Sequence, residues 1–175
     1  MEKSNLILIG MPGAGKSTLG VLLAKALRRD FLDTDVALQS RQGKTLRELI
    51  AQRGLEGFCK LEEEYLTQLD VHHTVIATGG SAVYYESAMK HLKQNGYALY
   101  LQVPLETLQK RLADMSARGV VIEPGQTLQT LYEKRTPLYE KHADLTIPLT
   151  GLTHEQALQR ILQHLSCFFD IRPVG

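Results

Sequence analysis

One stretch constrains this chain more than any other: Gly10-Met11-Pro12-Gly13-Ala14-Gly15-Lys16-Ser17. It satisfies the pattern G-x-x-x-x-G-K-[ST] in full, and its flanks are those the pattern requires. The apolar run Leu6-Ile7-Leu8-Ile9 reads as a buried strand. Ser17 to Arg28 reads as an amphipathic helix with Leu19, Val21, Leu22, Leu23, Ala26 and Leu27 mostly inward. Glycines let such a loop curl until successive backbone N–H groups converge on one centre, and the helix N-terminus adds its dipole. The result is an anion site suited to the β-phosphate of a nucleotide. Gly13, Ala14, Gly15, Lys16, Ser17 and Thr18 are therefore the candidate nucleotide-binding residues, with Lys16 on the β- and γ-phosphates and the Ser17 hydroxyl on Mg²⁺. A glycine-rich turn with an incidental lysine is the competing interpretation. It leaves the register of strand, loop and helix unexplained.

The rest of the chain repeats the alternation. Phe31-Leu32, Val75 to Ala77, Ala98 to Leu101 and Leu145 to Ile147 read as short strands. Thr45 to Gln52, Glu56 to Leu69, Tyr85 to Gln94, Leu105 to Asp114, Leu128 to Lys141 and His154 to Leu165 read as helices. This order implies an α/β fold of three layers, a central parallel five-stranded sheet with helices on both faces and ligands at the carboxyl ends of the strands. One domain spanning residues 1–175 is expected. Ala113 to Gln126 fits neither period and holds Gly119, Pro124 and Gly125, so a mobile lid at about 113–126 is expected, with a plain surface loop as the alternative.

Composition removes several classes. Twenty Lys and Arg against 19 Asp and Glu leave a net charge of +1, which argues against gripping nucleic acid or an anionic membrane. Cys59 and Cys167 are too few for a disulfide framework and lack zinc spacing, which points to a reducing cytosol. No targeting signal is evident near Leu6, and no run approaches the ~20 apolar residues that cross a bilayer. A cytoplasmic protein without membrane or nucleic-acid partners is expected. The six histidines show no ligand spacing and read as surface residues.

The phosphate loop does not say what receives the phosphate. No N-K-x-D guanine reader is present, no arginine-rich helical annex follows, and the candidate Walker B strand, Ala98 to Leu101, runs into Gln102 rather than a carboxylate. A switch or motor is thereby disfavoured. Asp33-Thr34-Asp35 follows a short strand sixteen residues past Ser17. In extended chain, residues two apart face the same way, so both carboxylates can point at the cradle, one holding water on Mg²⁺ and the other meeting an acceptor hydroxyl. The alternative is a solvated turn in which Asp35 caps a helix beginning near Val36.

Taken together, G-M-P-G-A-G-K-S-T-L-G, F-L-D-T-D, V-I-A-T-G-G and R-T-P-L-Y-E resemble the shikimate kinases, within the nucleoside monophosphate kinase-like P-loop kinase fold. The resemblance runs from Leu6 to about Ile147. It implies ATP and Mg²⁺ as cofactors and a small hydroxylated acid, shikimate first, as acceptor. It also implies roles residue by residue. Lys16, Asp35 and Arg118 are the catalytic candidates, with Asp35 on the acceptor hydroxyl and Arg118 swinging over the phosphates from the lid. Asp33 would join Ser17 in holding the metal, Asp33 through water. Arg111 would pack on adenine. Gly79 and Gly80 would line the acceptor pocket and offer backbone N–H groups, and Arg135 would bind the acceptor carboxylate through its bidentate fork. A monomer is expected.

The chain also departs from the family. In G-E-x-x-F-R-x-x-E, the residue after Gly54 is Leu55 and the arginine after Phe58 is Cys59, while Glu62, which supports that arginine in the family, remains. Ser81 replaces the third glycine of G-G-G, and the lid's R-P-L-L reads Arg118-Gly119-Val120-Val121. Lys60 is one helical position on, about 100° away. A shikimate kinase with a rearranged pocket is one possibility. A kinase for another small acceptor, such as a sugar acid or a hydroxy amino acid, is a second, and a nucleotide-binding regulatory module a third. Retention of Asp33, Asp35, Arg118 and Arg135 together argues against the third, since a binding module needs only the cradle.

Overall fold

Leu6, Ile7, Leu8 and Ile9 have no exposed surface at all, so the strand they form has to be covered on both faces. The computed structural model, which describes residues 3–113, 127–169 and 171, puts that strand, β1 (Asn5–Ile9), at the centre of a five-stranded sheet. Around it lie β2 (Asp30–Asp33), β3 (Thr74–Ala77), β4 (Gly96–Gln102) and β5 (Leu145–Pro148). The order is β2-β3-β1-β4-β5 and every pairing is parallel. Each aliphatic side chain of β1 contributes roughly 1.5–3 kcal/mol by leaving water.

Parallel crossovers are right-handed, so the direction of each step sets the face its helix covers. The chain steps from β1 outward to β2 through α1 (Lys16–Leu27), and every later crossover runs the other way. Helix α1 therefore shares its face with α7 (His154–Phe169), which it touches. The opposite face carries α3 (Leu46–Thr67), α4 (Glu86–Gln94) and α6 (Leu128–His142), while α2 (Thr34–Gln42) and α5 (Leu105–Ala113) flank the strand ends. The reversal beside β1 leaves a crevice at the carboxyl ends of β1 and β3, where a doubly wound sheet binds its ligands.

Several expectations are corrected here. Val21 is 51% exposed, because the buried stripe of α1 runs through Leu19, Gly20, Leu23, Ala24 and Leu27. His142 is buried at the end of α6 rather than lying on the surface. The two helices expected on either side of Gly54 form one element interrupted at that residue, whose φ of 70° lies outside the helical region. Helix α7 runs on to Phe169, whose ring stacks on Tyr97 with centroids 4.0 Å apart. Of the lid expected at about 113–126, residues 114–126, Arg118 among them, lie outside the described residues.

Candidate active site

The loop after β1 closes on itself through its lysine. Gly15, the N-cap of α1, has φ of 94°, a left-handed conformation that a side chain would strain. That turn starts the helix on Lys16, whose Nζ donates to the carbonyls of Gly10 at 2.7 Å and Met11 at 2.9 Å. Burial lowers the Lys16 pKa to about 8, with Arg135 pushing the same way and Asp35 and Asp33 opposing. A polyanion over the loop would raise it again. Ala14 packs its side chain into the core, so only its backbone serves the cradle.

Ser17 Oγ donates to Asp33 Oδ2 at 2.5 Å. The other oxygen of the same carboxylate, Oδ1, accepts from the backbone N–H groups of Asp35 at 3.0 Å and Val36 at 3.2 Å. Asp33, not Asp35, is thus the cap of α2. Strand β2 ends at Asp33 and the helix begins at Thr34, so the two carboxylates are not brought together by strand periodicity. They converge because Asp33 folds the chain back over itself, which frees the Asp35 side chain in the first helical turn. Among the described residues no cluster of three or more metal-ligating side chains exists. Ser17 and Asp33 nonetheless fit Mg²⁺, which keeps several waters and asks for only one or two hard protein oxygens.

A cavity of about 520 Å³ opens over these groups. Gly13, Gly15, Lys16, Ser17, Thr18, Asp33, Asp35, Gly80 and Arg111 all line it. Arg111 reaches its rim from α5 and donates to the Gly13 carbonyl at 3.0 Å. Sequence reasoning missed Thr78, Leu152, Thr153 and His154 in the same wall. The rule that ligands sit beyond the carboxyl ends of parallel strands pointed to the segments after β3 and β5, although no residue pattern did.

Arg135 and Tyr139 lie one helical turn apart on α6 and reach the same place. Tyr139 Oη donates to the Gly80 carbonyl at 2.8 Å. Arg135 is buried, donates through Nε to Tyr84 Oη at 3.1 Å and lays its guanidinium over Gly80, where a Cβ would come within 2.9 Å of it. Gly79 is more tightly placed: a Cβ there would be 2.6 Å from Glu62 Oε1 and 2.7 Å from Asp35 Oδ1. Its N–H, expected to be available to substrate, is engaged by Thr34 Oγ1 at 3.1 Å. Burial raises the Asp35 pKa, the neighbouring Asp33 adds to the rise, and Lys16 opposes it.

Glu62 stands on the buried stripe of α3 between Phe58 and Leu66. Its Oε2 accepts from Ser81 Oγ at 2.7 Å and from Tyr85 Oη at 2.8 Å. Cys59, where the family carries arginine, is a half-buried free thiol. Lys60 does not replace that arginine: it is well exposed and pairs with Glu56 at 2.8 Å.

Comparison with known proteins agrees with this geometry. Residues 12–166 match the family model described as shikimate kinase. A shikimate kinase from Synechococcus sp. (strain RCC307) is 41% identical over 169 residues, which is 94% of this chain and 86% of the relative. A solved shikimate kinase from Acinetobacter baumannii, in complex with shikimate, superposes with a TM-score of 0.85 at 34% identity, over 95% of this chain and 96% of that one. A gluconokinase from Sinorhizobium meliloti 1021 superposes with a TM-score of 0.59 at 17% identity, over 97% and 96% of the two chains, and this likeness shows the fold alone. The family model and these relatives cover nearly the whole chain, which belongs to the shikimate kinase family.

Proposed function

We propose that the chain transfers the γ-phosphoryl group of ATP to a hydroxyl of shikimate, giving shikimate 3-phosphate and ADP. The observation that carries this reading is a single cavity. It joins a nucleotide cradle, Lys16 and the Ser17–Asp33 pair to Asp35 and to Gly80, over which Arg135 lies. A module that only binds nucleotide needs no buried carboxylate and guanidinium beyond its cradle.

Each residue then has a task. The loop amides and Lys16 neutralise charge on the β- and γ-phosphates. Ser17 and Asp33 would hold Mg²⁺, which when bound screens the phosphate oxygens. Asp35, half-buried and with a raised proton affinity, orients the acceptor hydroxyl and takes its proton as the oxygen bonds to the γ-phosphorus and the bridging bond to ADP breaks. Arg135, already oriented by Tyr84, binds the acceptor carboxylate. Arg111 meets the adenine at the rim. Arg118 enters this reading from sequence register alone, as the cation that closes over the phosphates within a single kinase domain and its lid.

The same reading makes the protein a cytoplasmic monomer. Among the described residues no helix is long and apolar enough to cross a membrane, and the large exposed apolar side chains, Val21, Val36, Tyr84 and Phe168, are few. The test is coupled ADP release over a panel of hydroxy acids and polyols. Strong turnover with shikimate is the expected result. Turnover with a sugar acid or hydroxy amino acid instead would reassign the acceptor, and none with any acceptor would favour a regulatory module.

A further inference from the structure

Glu62 has an unusual division of labour between its two oxygens. Oε2 takes two hydroxyl donors, whereas Oε1 is buried and has no hydrogen-bond partner. Oε1 faces the gap that Gly79 leaves open, and Asp35 Oδ1 faces the same gap. A carboxylate that accepts two bonds on one oxygen cannot rotate without breaking both, so those donors decide where the other oxygen points. Cys59 stands one helical turn before Glu62 on α3.

We propose that Ser81 and Tyr85 are positioning residues for the acceptor site. Their hydroxyls fix Glu62 so that its open oxygen stands beside Asp35 across Gly79. The inference rests on the reading of Asp35 as the group that handles the acceptor hydroxyl. It concerns a feature particular to this chain, in which two neutral donors and a thiol occupy the ground around Glu62 where a guanidinium at position 59 would reach it. Neutral donors stabilise an ionised carboxylate less than a cation does. The charged and titratable groups facing Glu62 are Asp35 from α2, Arg135 from α6 and Tyr85 after the short turn at 82–84, while Cys59 lies one turn before it on its own helix. Burial raises the Glu62 pKa, the two hydroxyls and Arg135 lower it, and Asp35 raises it.

The experiment is a carboxyl ¹³C NMR titration of Glu62, assigned by its loss in Glu62→Gln, combined with acceptor kinetics. It compares the parent protein with Tyr85→Phe and Ser81→Ala, which keep the ring or the small volume. Each variant removes a donor to the charged form, so the Glu62 titration should move to higher pH in both. The KM for shikimate should rise by about ten-fold in Tyr85→Phe, with the KM for ATP unchanged. In a Cys59→Arg background the guanidinium takes over Glu62, and Tyr85→Phe should then lose most of its effect on the titration. An unmoved Glu62 titration in both single variants overturns the proposal, and so does an equal shift in both backgrounds. A parent protein inactive on shikimate, with the titration still moving, would sink the substrate reading and leave the positioning role standing.

Discussion

The two halves of the cavity are built by different means. The donor half is mostly backbone: a loop turned by glycine, a helix N-terminus, and one lysine whose partners are the carbonyls of its own loop. The acceptor half, on the proposed reading, is mostly side chains delivered from distant elements: Asp35 from α2 lines the cavity, and Glu62 from α3, Ser81 and Tyr85 around the turn at 82–84, and Arg135 from α6 gather about Gly79 and Gly80 at its edge. A backbone cradle depends on its sequence over eight adjacent residues and keeps the family pattern in full. A side-chain pocket can change one member and recruit another, and here the arginine at 59 is absent while two hydroxyls serve Glu62. The difference teaches that the reaction is fixed locally, whereas acceptor recognition is distributed and open to exchange.

The largest effect expected is in the donor half. Lys16→Ala should abolish turnover while the fold survives, because the Lys16 ammonium bonds loop carbonyls rather than packing in the core, and its proposed task is on the phosphates. Steady-state kinetics and circular dichroism together check this, and near-normal activity would break the comparison at its firmest side. Asp35→Asn should lower kcat by about two or more decades, the scale of a lost acid–base group, with ATP affinity little changed. If nucleotide binding falls while kcat holds, Asp35 serves the metal instead.

Arg135→Lys keeps the charge and loses the planar fork, so the KM for shikimate should rise by roughly ten-fold or more, with a smaller change in kcat. A change confined to the KM for ATP would move Arg135 to the donor half. The smallest effect concerns stability. Burial holds the Glu62 pKa above the ordinary glutamate range, so the folded protein loses stability as the pH rises through that raised value. Glutamine has no charge to bury, and its Nε2 can face Asp35. The Tm of Glu62→Gln minus that of the parent should therefore grow from acid to neutral pH, reaching about 2 °C or more. A difference that shrinks with pH would mean that Glu62 is held ionised by an attraction absent from this account.

How much was legible follows the same division. The cradle, the parallel five-stranded sheet and its two helical faces could be read from Gly10 to Ser17 and from the alternation of apolar runs, because both are short-range patterns. The role of Asp33 could not: whether an aspartate ends a strand or caps a helix depends on a helix start that Thr34 conceals, being a strand former with low helix propensity. The engaged amide of Gly79 was equally hidden, since its partner, Thr34, lies 45 residues away. Glu62 was legible as a family residue, but the donors that hold it were not. Ser81 and Tyr85 are ordinary polar residues in sequence, and only the fold brings them within 2.7 and 2.8 Å of the same oxygen. His142 misled because a histidine without ligand spacing reads as surface, whereas the fold buries this one at the end of α6.

The central claim is that both halves act in one transfer, and ³¹P NMR of the protein with Mg·ATP and shikimate tests it most directly. The account predicts a new phosphomonoester resonance that grows in step with ADP and is lost in Asp35→Asn. ADP accompanied only by inorganic phosphate, at the same rate with and without shikimate, would contradict it.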